Sequence, residues 1–102
     1  MAQYNVNYAF SLSETLLHKV ASRGNVAMAK YLLEMGANCE TVNKNQETPL
    51  FYAIYSQRVE MTRYLVELGC RTNHRNKRGL SCVDLSEKCR NPVIRDLVIV
   101  RD

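Results

Sequence analysis

The residues best suited to chemistry are two histidines, His18 and His74, and four cysteines, Cys39, Cys70, Cys82 and Cys89. Near neutral pH a histidine can serve as a general base, and a thiolate as a nucleophile or soft metal ligand. Both roles need partners at workable spacing. No two cysteines have the C-x-x-C spacing of a zinc or redox motif. Cys70 and His74 lie four apart, and a tetrahedral site would need two more ligands near them. Reduced, partly buried thiols are the expectation, with no metal and no cofactor. A glycine-rich phosphate loop, a G-x-S-x-G elbow and an H-E-x-x-H pair are all missing. The acids are scattered, with Glu34 and Glu67 at matching places in the chain, which suits a solvated face and not a catalytic carboxylate pair. The chemistry expected is non-enzymatic.

The elements that carry these residues follow from length and periodicity. The chain has 102 residues, enough for one domain whose limited core demands efficient local packing. Its hydrophobic fraction of 46% and charged fraction of 24% fit a soluble globular protein. Residues 1–20 lack a basic start followed by a long apolar run, and no apolar stretch approaches the ~20 residues of a membrane helix. An intracellular location, cytoplasmic or nuclear, is therefore expected.

Shifted by 33 residues, the chain falls on itself. Thr15, Leu17, Leu32 and Gly36 land on Thr48, Leu50, Leu65 and Gly69, and Gln46, Thr48, Leu50 and Leu65 land on Gly79, Ser81, Val83 and Val98. Such a period signals stacked units, none able to bury its apolar face alone. Each unit reads as helix, turn, helix and polar loop. Thr15 and Thr48 are placed to cap first helices, and Pro49 suits a first turn. Leu17, Val20 and Ala21, then Leu50, Ala53 and Ile54, supply one apolar face. Met28, Leu32 and Met35, then Met61, Tyr64, Leu65 and Leu68, supply the face of the second helices, which Gly36 and Gly69 end. The polar stretches 38–47 and 71–79 read as hairpin-like fingers.

Thr48-Pro49-Leu50-Phe51-Tyr52-Ala53 resembles the ankyrin signature T-P-L-H-x-A, as does Thr15-Leu16-Leu17-His18. Residues 32–38 and 65–71 resemble the family's L-L-x-x-G-A-D stretch, and 79–85 its degenerate terminal form. The resemblance implies an all-α solenoid of helix pairs with finger loops. It divides a single domain into a partial repeat or lone finger over 1–12, repeats over 13–45 and 46–78, and a C-terminal capping repeat over 79–102. Phe51 and Asp84 replace the family's usual histidine, so its histidine–threonine bond is expected only at His18. Gln57 replaces the turn glycine represented by Gly24, and Ser86 with Glu87 is expected to form the polar outer side of a cap.

The family binds through finger tips and the exposed side of first helices. Carried over by position, this implies Ser22 and Arg23 in the first repeat, and Lys44, Asn45, Glu47, Tyr55 and Ser56 around the second. In the third it implies Lys77, Arg78, Leu80, Lys88 and Cys89, with Tyr55 expected as the aromatic anchor. Asn73 stands where family members often carry an asparagine, and in the family such asparagines can be substrates of an asparaginyl hydroxylase.

Charge adds a direction. Residues 1–69 hold six basic and six acidic side chains, whereas 70–102 hold eight and four, which accounts for the net +4. Arg71, Arg75, Lys77 and Arg78 crowd the second finger beside His74 with no acid among them. Such a cluster steers acidic partners. The expected function is a protein-interaction module, as adaptor, inhibitor or scaffold, for a partner with an acidic surface. The alternatives are nucleic-acid binding by the same finger and a purely structural extension of a longer array. Nucleic-acid binding is disfavoured by the lack of aromatics between residues 71 and 78.

Overall fold

The computed structural model describes residues 15–99, so the finger or partial repeat expected over 1–12 lies outside the described residues. Six helices follow in order: α1 (Leu16–Arg23), α2 (Val26–Glu34), α3 (Pro49–Tyr55), α4 (Val59–Glu67), α5 (Cys82–Glu87) and α6 (Pro92–Val98). Each is only six to nine residues long. Helices this short are marginal in isolation, so packing must hold them. Consecutive helices pair as α1–α2, α3–α4 and α5–α6; first helices stack as α1–α3–α5 and second helices as α2–α4–α6.

The starts of the first helices show how local sequence controls the stack. At α1 the Thr15 hydroxyl accepts the His18 N–H at 3.4 Å, while His18 Nδ1 accepts the Thr15 backbone N–H at 3.1 Å. With Nδ1 accepting, Nε2 carries the proton and donates to the Glu47 carbonyl at 2.7 Å, tying α1 to the next unit. At α5 Asp84 replaces the imidazole and accepts the Ser81 N–H at 2.9 Å. The Ser81 hydroxyl in turn accepts the Asp84 N–H at 3.2 Å. At α3 the expectation fails. Thr48 makes no side-chain cap bond: the Phe51 N–H donates to the Thr48 carbonyl at 3.0 Å, and the phenyl side chain offers no acceptor, so the Thr48 hydroxyl is buried without a partner.

Leu17, Ala21, Leu50, Phe51, Ala53 and Ile54 form the contact between first helices, and Ala29, Leu32, Met61, Leu65, Ile94 and Val98 line the second-helix side of the core. Ala21, Ala29 and Ala53 are fully buried, small enough to let neighbouring backbones come close. Met28 and Met35 do not join the core as the spacing predicts; they are 40% and 56% exposed, because Ala29 and Leu32 define the inward stripe of α2. Leu68, also placed on the buried face, is the C-cap of α4 and 49% exposed.

A second correction concerns the last unit. Ser86 is fully buried and not on an outer side, since its hydroxyl donates to the Val83 carbonyl at 2.8 Å and so enters the core satisfied. Glu87 is exposed. Gln57 takes the left-handed turn at φ 59, matching Gly24 at φ 75. At Gly24 the backbone sign favours glycine, whereas a Cβ there would meet only the flexible Arg58 side chain, 2.8 Å from Cδ.

Candidate partner-binding surface

The two fingers, residues 38–47 and 71–80, are each organised by one buried asparagine. Asn43 sends its N–H to the Glu47 carbonyl at 3.0 Å and accepts the Asn45 and Glu47 N–H groups on Oδ1 at 2.9 and 3.0 Å. Asn76 repeats the pattern 33 residues later, with its N–H on the Leu80 carbonyl at 2.8 Å and Oδ1 taking Arg78 and Leu80 at 2.9 and 3.0 Å. A side-chain oxygen that accepts two backbone donors fixes a tight turn without a strand. One isolated bridge, Arg75 with Ser81, is what remains of a hairpin ladder among the described residues.

The fingers then bond to each other. The Lys77 N–H reaches the Asn45 carbonyl at 3.0 Å, and His74 Nε2 donates to the Gln46 carbonyl at 2.9 Å. Beneath them lies Glu47, which the sequence placed among the partner-contacting residues. It is 6% exposed, and its carboxylate accepts the Tyr55 hydroxyl at 2.5 Å and Asn76 Nδ2 at 3.0 Å. The structure therefore places Glu47 below the surface, as the group that orients what lies above.

A cleft of about 140 Å³ between the tips is lined by Asn45, Glu47, Asn76, Lys77 and Arg78. Tyr55 leans on the same carboxylate and stays 43% exposed. Burial and the Glu47 carboxylate push its phenol up to about 12, partly offset by a hydrogen bond from Arg78. Lys44, Asn45, Lys77 and Arg78 are exposed. Arg75 is also exposed but engaged, with Nη1 on the Gly79 carbonyl at 2.6 Å and on Asp84 Oδ2 at 3.3 Å. The Ser81 backbone N–H, with help from Arg75 and Lys88, holds the Asp84 carboxyl below its ordinary range.

The other residues implied by the family pattern follow the C-terminal ends of the first helices. The Ser22 and Ser56 hydroxyls bond at 2.9 Å, and Arg58 Nε donates to the Ser22 carbonyl at 2.9 Å. The half-buried Cys89 thiol donates to Gln57 Oε1 at 3.2 Å. Arg23, Lys88 and Asn73 are exposed, and Leu80 is half-buried. Asn45, Lys77 and Arg78 thus line the cleft, Tyr55 is tied to its Glu47 wall and Lys44 is exposed on the first finger, while Ser22, Ser56 and Cys89 are engaged in contacts between neighbouring helix ends.

Sequence reasoning missed two features. Asn43 and Asn76 lie one period apart, a signal available in the alignment but masked by the many asparagines of polar loops. Among the described residues, Cys39, Glu40 and Cys70 also bring three metal-ligating atoms within 4.8 Å of one another. Burial and the neighbouring Cys39 push the Cys70 thiol well up, and burial does the same to Cys82.

Stacked helix pairs with polar fingers on one side define a solenoid repeat protein. The sequence pattern of ankyrin repeats, in three copies, matches residues 2–76, and the chain belongs to the ankyrin repeat family. A Coxiella burnetii protein named for its ankyrin repeats is 37% identical over 86 residues, covering 80% of this chain and 25% of that protein. The fowlpox virus ankyrin repeat protein FPV230 is 36% identical over 56 residues, covering 55% of this chain and 30% of its own. Alpha-latrotoxin-Lg1a of Latrodectus geometricus is 33% identical over 60 residues, covering 58% of this chain and 4% of the toxin. The chain thus spans a third or less of these relatives. Ankyrin repeats are generally protein–protein interaction modules, and the family is generally non-catalytic. No helix among the described residues is long and apolar enough to cross a membrane.

Proposed function

We propose that this chain is a non-catalytic module that binds an acidic protein surface or segment through the two finger tips and Tyr55. The observation that carries this reading is Tyr55, half exposed yet fixed by Glu47, beside a cleft walled by Lys77 and Arg78. An aromatic held in place before binding loses little entropy on contact, and the flanking cations favour an acidic partner. Adaptor, inhibitor and scaffold roles all use such a surface, and its chemistry does not separate them.

The test is a nuclease-treated pull-down comparing wild type with a Tyr55→Ala, Lys77→Glu, Arg78→Glu variant. Arg75 is left intact because reversing it would set two acids side by side at Asp84. A protein held by the wild type and lost by the variant supports the surface, whereas equal capture rejects it. For nucleic acid, Tyr55 beside Arg78 supplies one stacking face that the finger itself lacks. Single-stranded binding relies on successive faces and a tracking groove, so protein remains the favoured partner. Tight binding of single-stranded RNA at low ionic strength would reverse that preference.

A further inference from the structure

We propose that Cys39, Glu40 and Cys70 form a site for a thiophilic divalent cation of the zinc class, at the base of the two fingers. Cys39 and Glu40 belong to the first finger, and Cys70 follows Gly69 at the end of α4. The chain separates them by about one unit of the stack, and folding brings both sulfurs and a carboxylate oxygen within 4.8 Å of one another. Tetrahedral coordination with zinc–sulfur bonds of ~2.3 Å needs sulfurs roughly 3.8 Å apart, which side-chain rotation supplies from this starting point.

The donor set selects the ion. Two thiolates and one carboxylate suit a borderline-soft cation, whereas magnesium and calcium require oxygen ligands throughout. The carboxylate is already oriented, because Glu40 Oε2 accepts the Arg71 backbone N–H at 2.8 Å. Cys70 is only 5% exposed, while Cys39 and Glu40 are half-buried, giving one dry wall and one open side. The open side admits the ion and leaves a fourth position for water. As the cation binds, two thiol protons leave to solvent, so binding strengthens as pH rises. The bound ion would join the first finger to the end of α4 and stabilise the stack by linkage. Cys82 and Cys89 take no part in the cluster.

The probe is cobalt(II), added to metal-free protein kept reduced by a phosphine at pH 7.5. The expected result is a thiolate-to-cobalt charge-transfer band that saturates at one ion per chain and is displaced by zinc. Cys89→Ser should keep the band and Cys39→Ser should lose it with an unchanged helical circular dichroism spectrum. If Cys39→Ser does not fold, Glu40→Gln gives the reading: a shifted band or weakened affinity supports the site, and an unchanged titration overturns it. Absence of a charge-transfer band in wild type, or a band that survives in folded Cys39→Ser, also overturns it. So does intact mass showing a phosphine-resistant Cys39–Cys70 disulfide in place of bound metal.

Discussion

Asn43 and Asn76 hold the same place in the two fingers and make the same three backbone bonds, yet their amide groups face different chemistry. Asn43 Nδ2 donates to the Tyr52 hydroxyl at 2.7 Å, whereas Asn76 Nδ2 donates to the buried Glu47 carboxylate. The first finger holds Glu40, Lys44 and Glu47; the second holds four bases and no acid. One loop scaffold thus serves two purposes. The first finger supplies the internal carboxylate that positions Tyr55 and Asn76, and the second presents charge. Framework and surface charge occupy separate positions of the same repeat, so the period reveals one and hides the other.

The largest effect should come from removing the asparagines. Asn76→Ala strands two backbone donors and one carboxylate acceptor, and should cost about 3 kcal/mol in chemical denaturation. Asn43→Ala should cost less, about 2 kcal/mol, because its amide partner is a phenol and not a buried carboxylate. Equal losses would mean that the Glu47 bond adds nothing.

Charge reversal should separate the fingers functionally. With a partner in hand, Lys77→Glu with Arg78→Glu should slow association about tenfold at low salt, and Lys44→Glu should do so less. Stopped-flow rates across ionic strengths would check both. The helix starts offer a third contrast. Thr15→Val should cost about 1 kcal/mol by removing a working cap, while Thr48→Val should be neutral or stabilising because its hydroxyl is buried and unpaired. Thermal melts of the two variants would show whether that asymmetry holds.

The smallest effect is alkaline. The Tyr55 phenol rises from 10.0 to about 12 on folding, so its contribution is fully present below pH 10 and fades as pH rises through 12. The wild type should therefore lose more stability over that window than Tyr55→Phe. Glu47→Gln should lower the Tyr55 titration toward the ordinary value, as followed by NMR.

Much of the fold was legible because capping, packing and turn residues recur at a fixed interval. Thr15, Leu17, Leu32 and Gly36 announce a helix pair by type alone, and the copies at Thr48, Leu50, Leu65 and Gly69 announce the stack. What escaped depended on contacts between units. Glu47 reads as an exposed loop acid until Asn76, 29 residues on, buries it. Thr48 reads as a cap until Phe51 leaves the hydroxyl without a return partner. Ser86 reads as polar surface until its own helix carbonyl satisfies it. Cys39 and Cys70 lie 31 apart, off the 33-residue register, so the alignment that exposes the fold draws attention away from their meeting.

The most direct test of the account is hydrogen–deuterium exchange of the chain alone and with its captured partner. Protection is predicted over residues 44–47, 52–56 and 74–80, with the exposed Met28, Tyr31 and Met35 side of α2 unchanged. Protection confined to α2 and α4, with both fingers exchanging as before, would contradict the finger-tip surface.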